Sequence, residues 1–196
     1  MLTDRAAPWA EPVLLTAEDL ARMPDDAWRY ELVHGRLVRM PPAGFDHGSI
    51  ALDLATAVNT FVREHDLGRV VAAETGFLVS RPGEPDTVLA PDMAFVSSSR
   101  IPPAGSREGG AFARLAPDLV AEIASPGQSR RSLNAKARTW IDCGVRLVWV
   151  LWPDSQQIDV WEAGRQDPVK TLERDARLDG GDVLPGFSLQ LSRLWP

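Results

Sequence analysis

Apolar residues recur at helical spacing in three parts of the chain. The segment 16–24 opens with an N-cap residue followed by acids, and predicts a short helix that Pro24 ends. The apolar positions of 50–62 fall three and four residues apart, which predicts an amphipathic helix of roughly four to five turns. The segment 133–141 repeats that spacing, and Gly144 can close its helix in a left-handed turn.

Runs of β-forming residues predict strands between these helices. Arg29–Val33 and Arg36–Met40 flank a two-residue His-Gly turn, which is the spacing of a tight hairpin. Four later runs are strand-like, namely 69–80, 88–96, 118–124 and 145–152. The last run is almost entirely apolar and predicts a central strand covered on both faces. The succession of a strand, a helix and this buried strand over 118–152 predicts a crossover unit. The tail from Ile158 predicts a hairpin with short edge elements. We therefore predict an α/β or α+β fold with a mixed central sheet flanked by helices.

The composition supports a globular chain. The chain has 196 residues, of which 44% are hydrophobic and 24% charged, so it can bury a core without disulfides or structural metal. We find no repeat and no long linker, and we predict one domain over 13–196 after a flexible lead-in at 1–12. The Pro- and Gly-rich segment 97–110 predicts a mobile loop.

Charge and cysteine content exclude several classes of function. The net charge is −6, so the molecule as a whole does not attract nucleic acid and any polyanion must bind locally. Cys143 is the single cysteine, which rules out an intramolecular disulfide and a cysteine-based zinc site. We find no apolar run suited to a signal peptide or a membrane span, so a cytoplasmic location without membrane contact is expected.

Two acids occur where ionised side chains are costly. Asp92 and Glu122 each lie in a strand-like run of mostly apolar residues. A buried carboxylate needs an arginine, a proton or a divalent cation, and all three remain possible at this point. Strand alternation predicts that Asp92 shares a face with Ala90 and Ala94, and that Glu122 shares one with Ala124. Small neighbours would leave room beside each acid.

A lysine completes a set of groups suited to phosphodiester hydrolysis. The chain has two lysines, Lys136 and Lys170, and the first follows Glu122 on the next predicted helix. Acids can hold a metal that polarises a phosphate and activates water, and a lysine can orient the nucleophile or stabilise charge. A lysine such as Lys136, taken alone, is more often a solvated helix residue, so its assignment depends on the two acids and on the scarcity of lysine in the chain.

Six segments of the chain form a pattern that is distinctive when taken together. They are RYELVHGRLVRMPP at 29–42, the helix from His47, APDMAFV at 90–96, PDLVAEIASP at 117–126, RRSLNAKARTWIDCGV at 130–145 and LPGFSLQLSRLW at 184–195. In these segments the chain resembles the Uma-two family of endonucleases, within the PD-(D/E)XK restriction-endonuclease-like superfamily. The resemblance covers nearly the whole chain from residue 14. It implies an N-terminal helix and a β-hairpin, followed by a restriction-endonuclease-like core.

The resemblance also implies a metal-dependent endonuclease that hydrolyses DNA. Asp92 and Glu122 match the metal-binding acids, and the Ile123 carbonyl would add a ligand to Mg²⁺ or Mn²⁺. The wider superfamily has its lysine two residues after the second acid, where this chain has Ala124. The Uma-two family instead places the lysine on the next helix, where Lys136 matches it.

Glu31 and His47 match two further positions that recur in the family. Glu31 lies in the first hairpin strand, and His47 lies at the start of the long helix. We include both among the candidate catalytic residues. Each also has an ordinary structural explanation, since Glu31 could pair with Arg36 or Arg39 across the hairpin. His47 could be a helix-start residue without any role in chemistry.

A local excess of positive charge is the candidate nucleic-acid surface. Five basic residues and one acid give the segment 127–146 a charge of +4 in an otherwise acidic chain. Arg130, Arg131 and Arg138 are the candidates for contacts with the phosphate backbone, although an ordinary charged helix face has the same composition. By analogy with related nucleases, a homodimer is also expected.

Two other functions are compatible with these residues. The chain could be an inactive nuclease fold that serves as a binding or interaction module and no longer binds metal. It could also be a hydrolase that uses Asp92 and Glu122 as acid and base without metal. Metal-linked stabilisation and activity in excess chelator separate these alternatives from the metal-dependent nuclease.

Overall fold

Three α-helices occur within the residues that the computed structural model describes, which are 13–24, 28–40, 42–102 and 111–195. They are α1 (Ala17–Ala21), α2 (Phe45–Glu64) and α3 (Arg130–Asp142). Thr16 caps α1 as predicted, and its backbone N–H donates to the Asp19 carboxylate at 2.9 Å. The predicted lead-in at 1–12 and residues 103–110 of the predicted loop lie outside the described residues. No helix in the described ranges is both long and apolar enough to cross a bilayer.

The same ranges contain twelve strands, which form three sheets. In chain order the strands are β1 (Arg29–Val33), β2 (Arg36–Met40), β3 (Gly68–Ala72), β4 (Phe77–Leu78), β5 (Val88–Leu89), β6 (Met93–Ser97), β7 (Leu119–Ile123), β8 (Leu147–Trp152), β9 (Gln157–Glu162), β10 (Lys170–Leu172), β11 (Arg177–Gly180) and β12 (Leu184–Gln190). The central sheet has the order β10-β9-β8-β7-β6-β3, a smaller sheet has the order β2-β1-β5-β4, and β11 pairs with β12. Among the strand pairs of the described residues, β7 and β8 run parallel and all the others run antiparallel. The central sheet is therefore mixed.

The central sheet has a hydrophobic core on each face. All six residues of β8 are buried, because alternate side chains enter opposite cores. On one face, α2 packs Ile50, Leu54, Val58 and Val62 against the sheet. On the other face, α3 packs Leu133, Ala137 and Trp140. The predicted central strand and the crossover from β7 through α3 to β8 are therefore confirmed.

Two predicted strands are each divided between the two larger sheets. The run 69–80 forms β3 in the central sheet and β4 in the smaller sheet, with Glu74 turning the chain at a positive φ of 73°. The run 88–96 forms β5 and then β6, because Pro91 has no N–H to continue a ladder. Asp92 consequently lies in the bend before β6, and the predicted sharing of one strand face by Ala90, Asp92 and Ala94 is wrong.

Candidate catalytic cavity

A cavity of about 360 Å³ opens between the β1–β2 hairpin, the start of α2 and the side of α3. All five candidate catalytic residues line this acid cavity, and they are Glu31, His47, Asp92, Glu122 and Lys136. They come from three strands or strand ends and two helices, so only the folded chain brings them together. Ile123, the remaining candidate metal ligand, is the buried last residue of β7 and is not part of the lining.

Lys136 joins the hairpin to the central sheet through two ion pairs. Its Nζ lies 2.8 Å from Glu31 Oε1 and 2.9 Å from Glu122 Oε2. The backbone N–H of Ala90 also donates to Glu31 Oε1, at 2.9 Å, and so fixes that carboxylate. The alternative explanation of Glu31 as a cross-strand partner of Arg36 or Arg39 does not hold, because Val38 lies opposite Glu31 and the ion pair is formed with α3.

Glu122 is buried and both of its carboxylate oxygens accept hydrogen bonds. Oε2 accepts from Lys136, and Oε1 accepts from the indole Nε1–H of Trp140 at 2.7 Å. Trp140 follows Lys136 by four residues, so one face of α3 supplies both donors. This pair of donors holds the carboxylate in a single orientation at the cavity wall.

Asp92 has an arrangement of its own beside this cluster. The backbone N–H of Ile123 donates to Asp92 Oδ2 at 2.8 Å, and His47 Nε2 lies 3.2 Å from the same oxygen. His47 is the third residue of α2 and is buried. Asp92 Oδ1 receives no hydrogen bond from the described residues, so one oxygen of this carboxylate can still accept a ligand.

The groups around Lys136 that are largely shielded from solvent carry more acid than base. Glu31, Asp92 and Glu122 accompany this one ammonium, which gives the cluster a net charge of −2 when all three acids are ionised and His47 is neutral. The half-buried Arg29 and the exposed Arg39 also line the cavity. Burial raises the pKa of Glu122 to about 8; Lys136 opposes this shift, and Asp92 and Glu31 add to it. Burial alone would lower the pKa of Lys136, but Glu122 and Glu31 raise it above its ordinary value. The lysine is therefore protonated at neutral pH.

The donor set fits a divalent cation that substrate and water help to coordinate. In the described ranges, no group of three or more His, Cys, Asp and Glu side chains could hold a metal ion by itself. The β6–β7 register pairs Met93 with Ala121 and so brings Asp92 opposite Glu122. Mg²⁺ is commonly held by one or two carboxylates, with water and phosphate oxygens completing its octahedron. Two acids facing an open cavity match that requirement.

Two residues of this region were not identified from the sequence. Trp140 belongs to the apolar spacing of 133–141, which places it on the buried face of α3. A buried indole N–H usually needs an acceptor, and this requirement is a signal that a polar partner lies nearby. Arg29 lines the cavity two residues before Glu31, so strand alternation puts both on one face of β1. Since Glu31 is a candidate catalytic residue, that alternation predicts that Arg29 lies in the same cavity.

The three candidate backbone-binding arginines lie outside the lining of the acid cavity. Arg130 bonds to Ser155, Gln157 and Asp159, and its guanidinium lies 4.4 Å from the centre of the Trp152 ring. Arg138 pairs with Asp167 at 3.0 Å and also donates to a backbone carbonyl. Arg131 is exposed. Contacts of these arginines with phosphate stay a prediction.

The mixed sheet, the flanking helices and the preceding hairpin define a restriction-endonuclease-like nuclease fold. The Uma2 family model, described as "Putative restriction endonuclease", matches residues 17–192, and the chain belongs to this Uma-two family. The fold is similar to a crystal structure from Anabaena variabilis described as "a putative nuclease belonging to DUF820", with a TM-score of 0.77 and 22% identity. That likeness covers 94% of this chain and 98% of the other, and it establishes the fold. A search of curated proteins found no match.

Proposed function

We propose that the protein is a metal-dependent endonuclease that hydrolyses DNA phosphodiester bonds. The observation that carries the proposal is the position of Lys136, whose ammonium lies between Glu31 and Glu122 in the cavity that Asp92 also lines. Family membership and the nuclease fold support the same activity. The restriction-endonuclease-like class generally uses divalent metal ions, which agrees with the excess of acid over base in the cluster around Lys136.

Asp92 and Glu122 are the side chains that would hold Mg²⁺ or Mn²⁺. The backbone of Ile123 supports its predicted role as a third ligand. Its N–H is directed to Asp92, and in a strand the N–H and C=O of one residue point to the same side. A bound divalent cation would polarise a phosphate oxygen and lower the pKa of bound water.

Lys136 acts in this proposal as a fixed positive charge. Its raised pKa keeps it protonated, so it cannot accept a proton from water at neutral pH. It can donate hydrogen bonds to a phosphate oxygen whose negative charge grows during attack, which is the transition-state stabilisation expected of a pre-organised donor. Glu31 is a positioning residue, since it holds the ammonium at 2.8 Å and is itself held by the backbone of Ala90.

His47 and Trp140 orient the two acids. His47 Nε2 lies against Asp92 Oδ2, which directs the other oxygen of that carboxylate to the cavity. The Trp140 indole fixes Glu122 in the same way from the opposite side. Such supporting contacts typically change metal affinity or activity by about 10- to 100-fold when removed. Backbone contacts by Arg130, Arg131 and Arg138 and assembly into a homodimer are further parts of the proposal.

The test is cleavage of supercoiled and linear DNA with Mg²⁺ or Mn²⁺, for the wild type and for Asp92→Asn. Asp53→Asn, at an exposed acid of α2 outside the cavity, is the matched control because it makes the same chemical change. We expect cleavage by the wild type and the control and none by Asp92→Asn. The metal at 100 times its Kd should stabilise the two active proteins by about 2.7 kcal/mol in thermal unfolding.

Each alternative has its own outcome in that test. Cleavage that persists in excess chelator would support a hydrolase that uses the two acids without metal. The absence of both cleavage and metal-linked stabilisation would support a binding module. Equal cleavage by Asp92→Asn and wild type would identify a contaminating nuclease or a different site, and the proposal would be wrong.

A further inference from the structure

A second cavity, of about 370 Å³, adjoins the acid cavity along β1. Its lining is mostly aromatic or small, and consists of Trp28, Arg29, Tyr30, Glu74, Gly76, Val88, Ala90 and Phe112. Arg29, Tyr30 and Ala90 line both cavities, so the two spaces meet at this ridge. We call the second space the aromatic cavity. It takes no part in the chemistry proposed above.

Phe112 forms a fixed wall of the aromatic cavity. Its ring packs on the backbone of Gly76 so closely that a Cβ on that glycine would lie 2.5 Å from Phe112 Cδ1. Two backbone hydrogen bonds anchor the neighbouring Ala113, one to Gly76 at 2.9 Å and one from Leu78 at 2.8 Å. Glycine is therefore required at position 76 if this wall is to keep its place.

The remaining walls match the chemistry of a nucleobase. Trp28 is 40% exposed, which is unusual for so large a ring, and the Arg39 guanidinium lies 3.8 Å from its ring centre. Aromatic side chains of this kind stack on bases of any sequence. Glu74, in the left-handed turn after β3, adds an acceptor for the N–H groups on a base edge.

Arg29 lies where a phosphate would connect the two cavities. It lines both cavities and shares a strand face with Glu31, and its guanidinium forms no ion pair or hydrogen bond with the described residues. A guanidinium is suited to bidentate contact with phosphate oxygens. A nucleotide bound here would place its phosphate toward the acids and its base toward Phe112.

We infer that the aromatic cavity binds an unpaired base of the nucleotide whose phosphate enters the acid cavity. The preferred substrates are accordingly single strands, or duplexes in which a base is mismatched or unstacked. This inference rests on the proposed nuclease function and adds the class of substrate to it. Stacking would also supply affinity that the acidic chain, with a net charge of −6, does not gain from charge alone.

The test uses a single-stranded oligonucleotide that contains 2-aminopurine, whose fluorescence falls when the base stacks. Binding is measured with the full chain in chelator, so that no cleavage occurs. We expect quenching by the wild type, and about tenfold weaker binding with less quenching for Phe112→Ala. Gly76→Ala should have a similar effect, because it displaces the ring without deleting it. Phe45→Ala, at a phenylalanine that is 91% exposed on α2, is the matched control.

The outcomes separate this inference from the proposed function. DNA cleavage that shows no preference for unpaired bases, with no quenching, would overturn the base site and leave the nuclease proposal intact. Quenching that depends on Phe112 without cleavage under any metal condition would retain the base site and overturn the nuclease proposal. Equal binding by wild type and both cavity variants, each shown to be folded by circular dichroism, would also overturn the base site.

Discussion

Two buried carboxylates in this protein have similar partners and different surroundings. Glu122 accepts a hydrogen bond from the indole of Trp140 at 2.7 Å, and Asp159 accepts one from the indole of Trp152 at the same distance. Each acid also pairs with a basic residue of α3. Judged by burial and by these partners alone, the two sites would be assigned the same role.

The difference lies in the balance of charge around each acid. Asp159 accepts a hydrogen bond from Thr171 Oγ1 at 2.6 Å, and its carboxylate lies 3.4 Å from the Arg130 guanidinium. At this site one negative charge is therefore balanced by one positive charge. Glu122 instead shares Lys136 with a second carboxylate on β1, and Asp92 is a third acid in the same cavity. A matched buried pair is a structural contact, whereas an excess of buried acid needs either a proton, as the raised pKa of Glu122 reflects, or a further cation. That excess, more than burial itself, is the reason for proposing a metal at Glu122 and not at Asp159.

The largest expected effect is a loss of stability when Lys136 is substituted, and Lys170 provides the comparison. Lys136→Met leaves two buried carboxylates without their counter-charge, and we expect a loss of about 3–5 kcal/mol in the free energy of unfolding. Lys170 pairs with Asp179 at the surface, so Lys170→Met should cost about 0–1 kcal/mol. Urea unfolding at neutral pH measures both. Equal losses would mean that the acid cavity has no excess charge to balance.

The next effect separates the two acids by activity. We expect Glu122→Gln to lower DNA cleavage at least ~100-fold, since it removes a carboxylate that would hold the metal. Asp159→Asn should retain cleavage and lose about 1–3 kcal/mol of stability, because one of its donors is left without an acceptor. Initial cleavage rates and thermal unfolding of both variants test this contrast. A similar loss of activity in both would remove the distinction between them.

The smallest effect concerns another buried acid, Asp118. Like Asp159, it pairs with a single arginine, which here is Arg100. Burial raises its pKa, but hydrogen bonds from the Ser97 backbone and from Arg100 outweigh burial, and the pKa lies below its ordinary value of 3.8. Since the folded state then binds the proton more weakly, this acid stabilises the fold above pH 3.8 and loses that contribution as the pH falls. Unfolding free energies from about pH 6 to about pH 3 should fall more steeply for wild type than for Asp118→Asn.

Much of the fold followed from local patterns in the sequence. The spacing of apolar residues gave α2 and α3, and the His-Gly turn gave the β1–β2 hairpin. The order of strand, helix and apolar strand gave the parallel β7–β8 crossover. The sequence indicated Asp92, Glu122 and Lys136 as one set of groups because they follow one another on successive predicted elements, and the resemblance to a family supported Lys136 and added Glu31 and His47.

The partners of the acids could not be predicted in the same way. The bonds from Trp140 to Glu122 and from Trp152 to Asp159 depend on how far α3 and the strands have rotated about their axes, which burial patterns do not specify. Asp159 itself was not recognised as buried from the sequence. Pro91 was a visible signal for a strand break, but the apolar residues on both sides of it favoured a continuous strand.

The scarcity of lysine has a practical consequence for labelling. Lys136 is deeply buried, with 13% of its side chain exposed, and it is held protonated by two carboxylates. An amine-reactive dye needs a neutral, accessible amine, so of the two lysine side chains it should modify Lys170, which is 38% exposed. A fluorophore attached there lies on the β9–β10 hairpin, outside both cavities, and can report on the binding of oligonucleotides without blocking them.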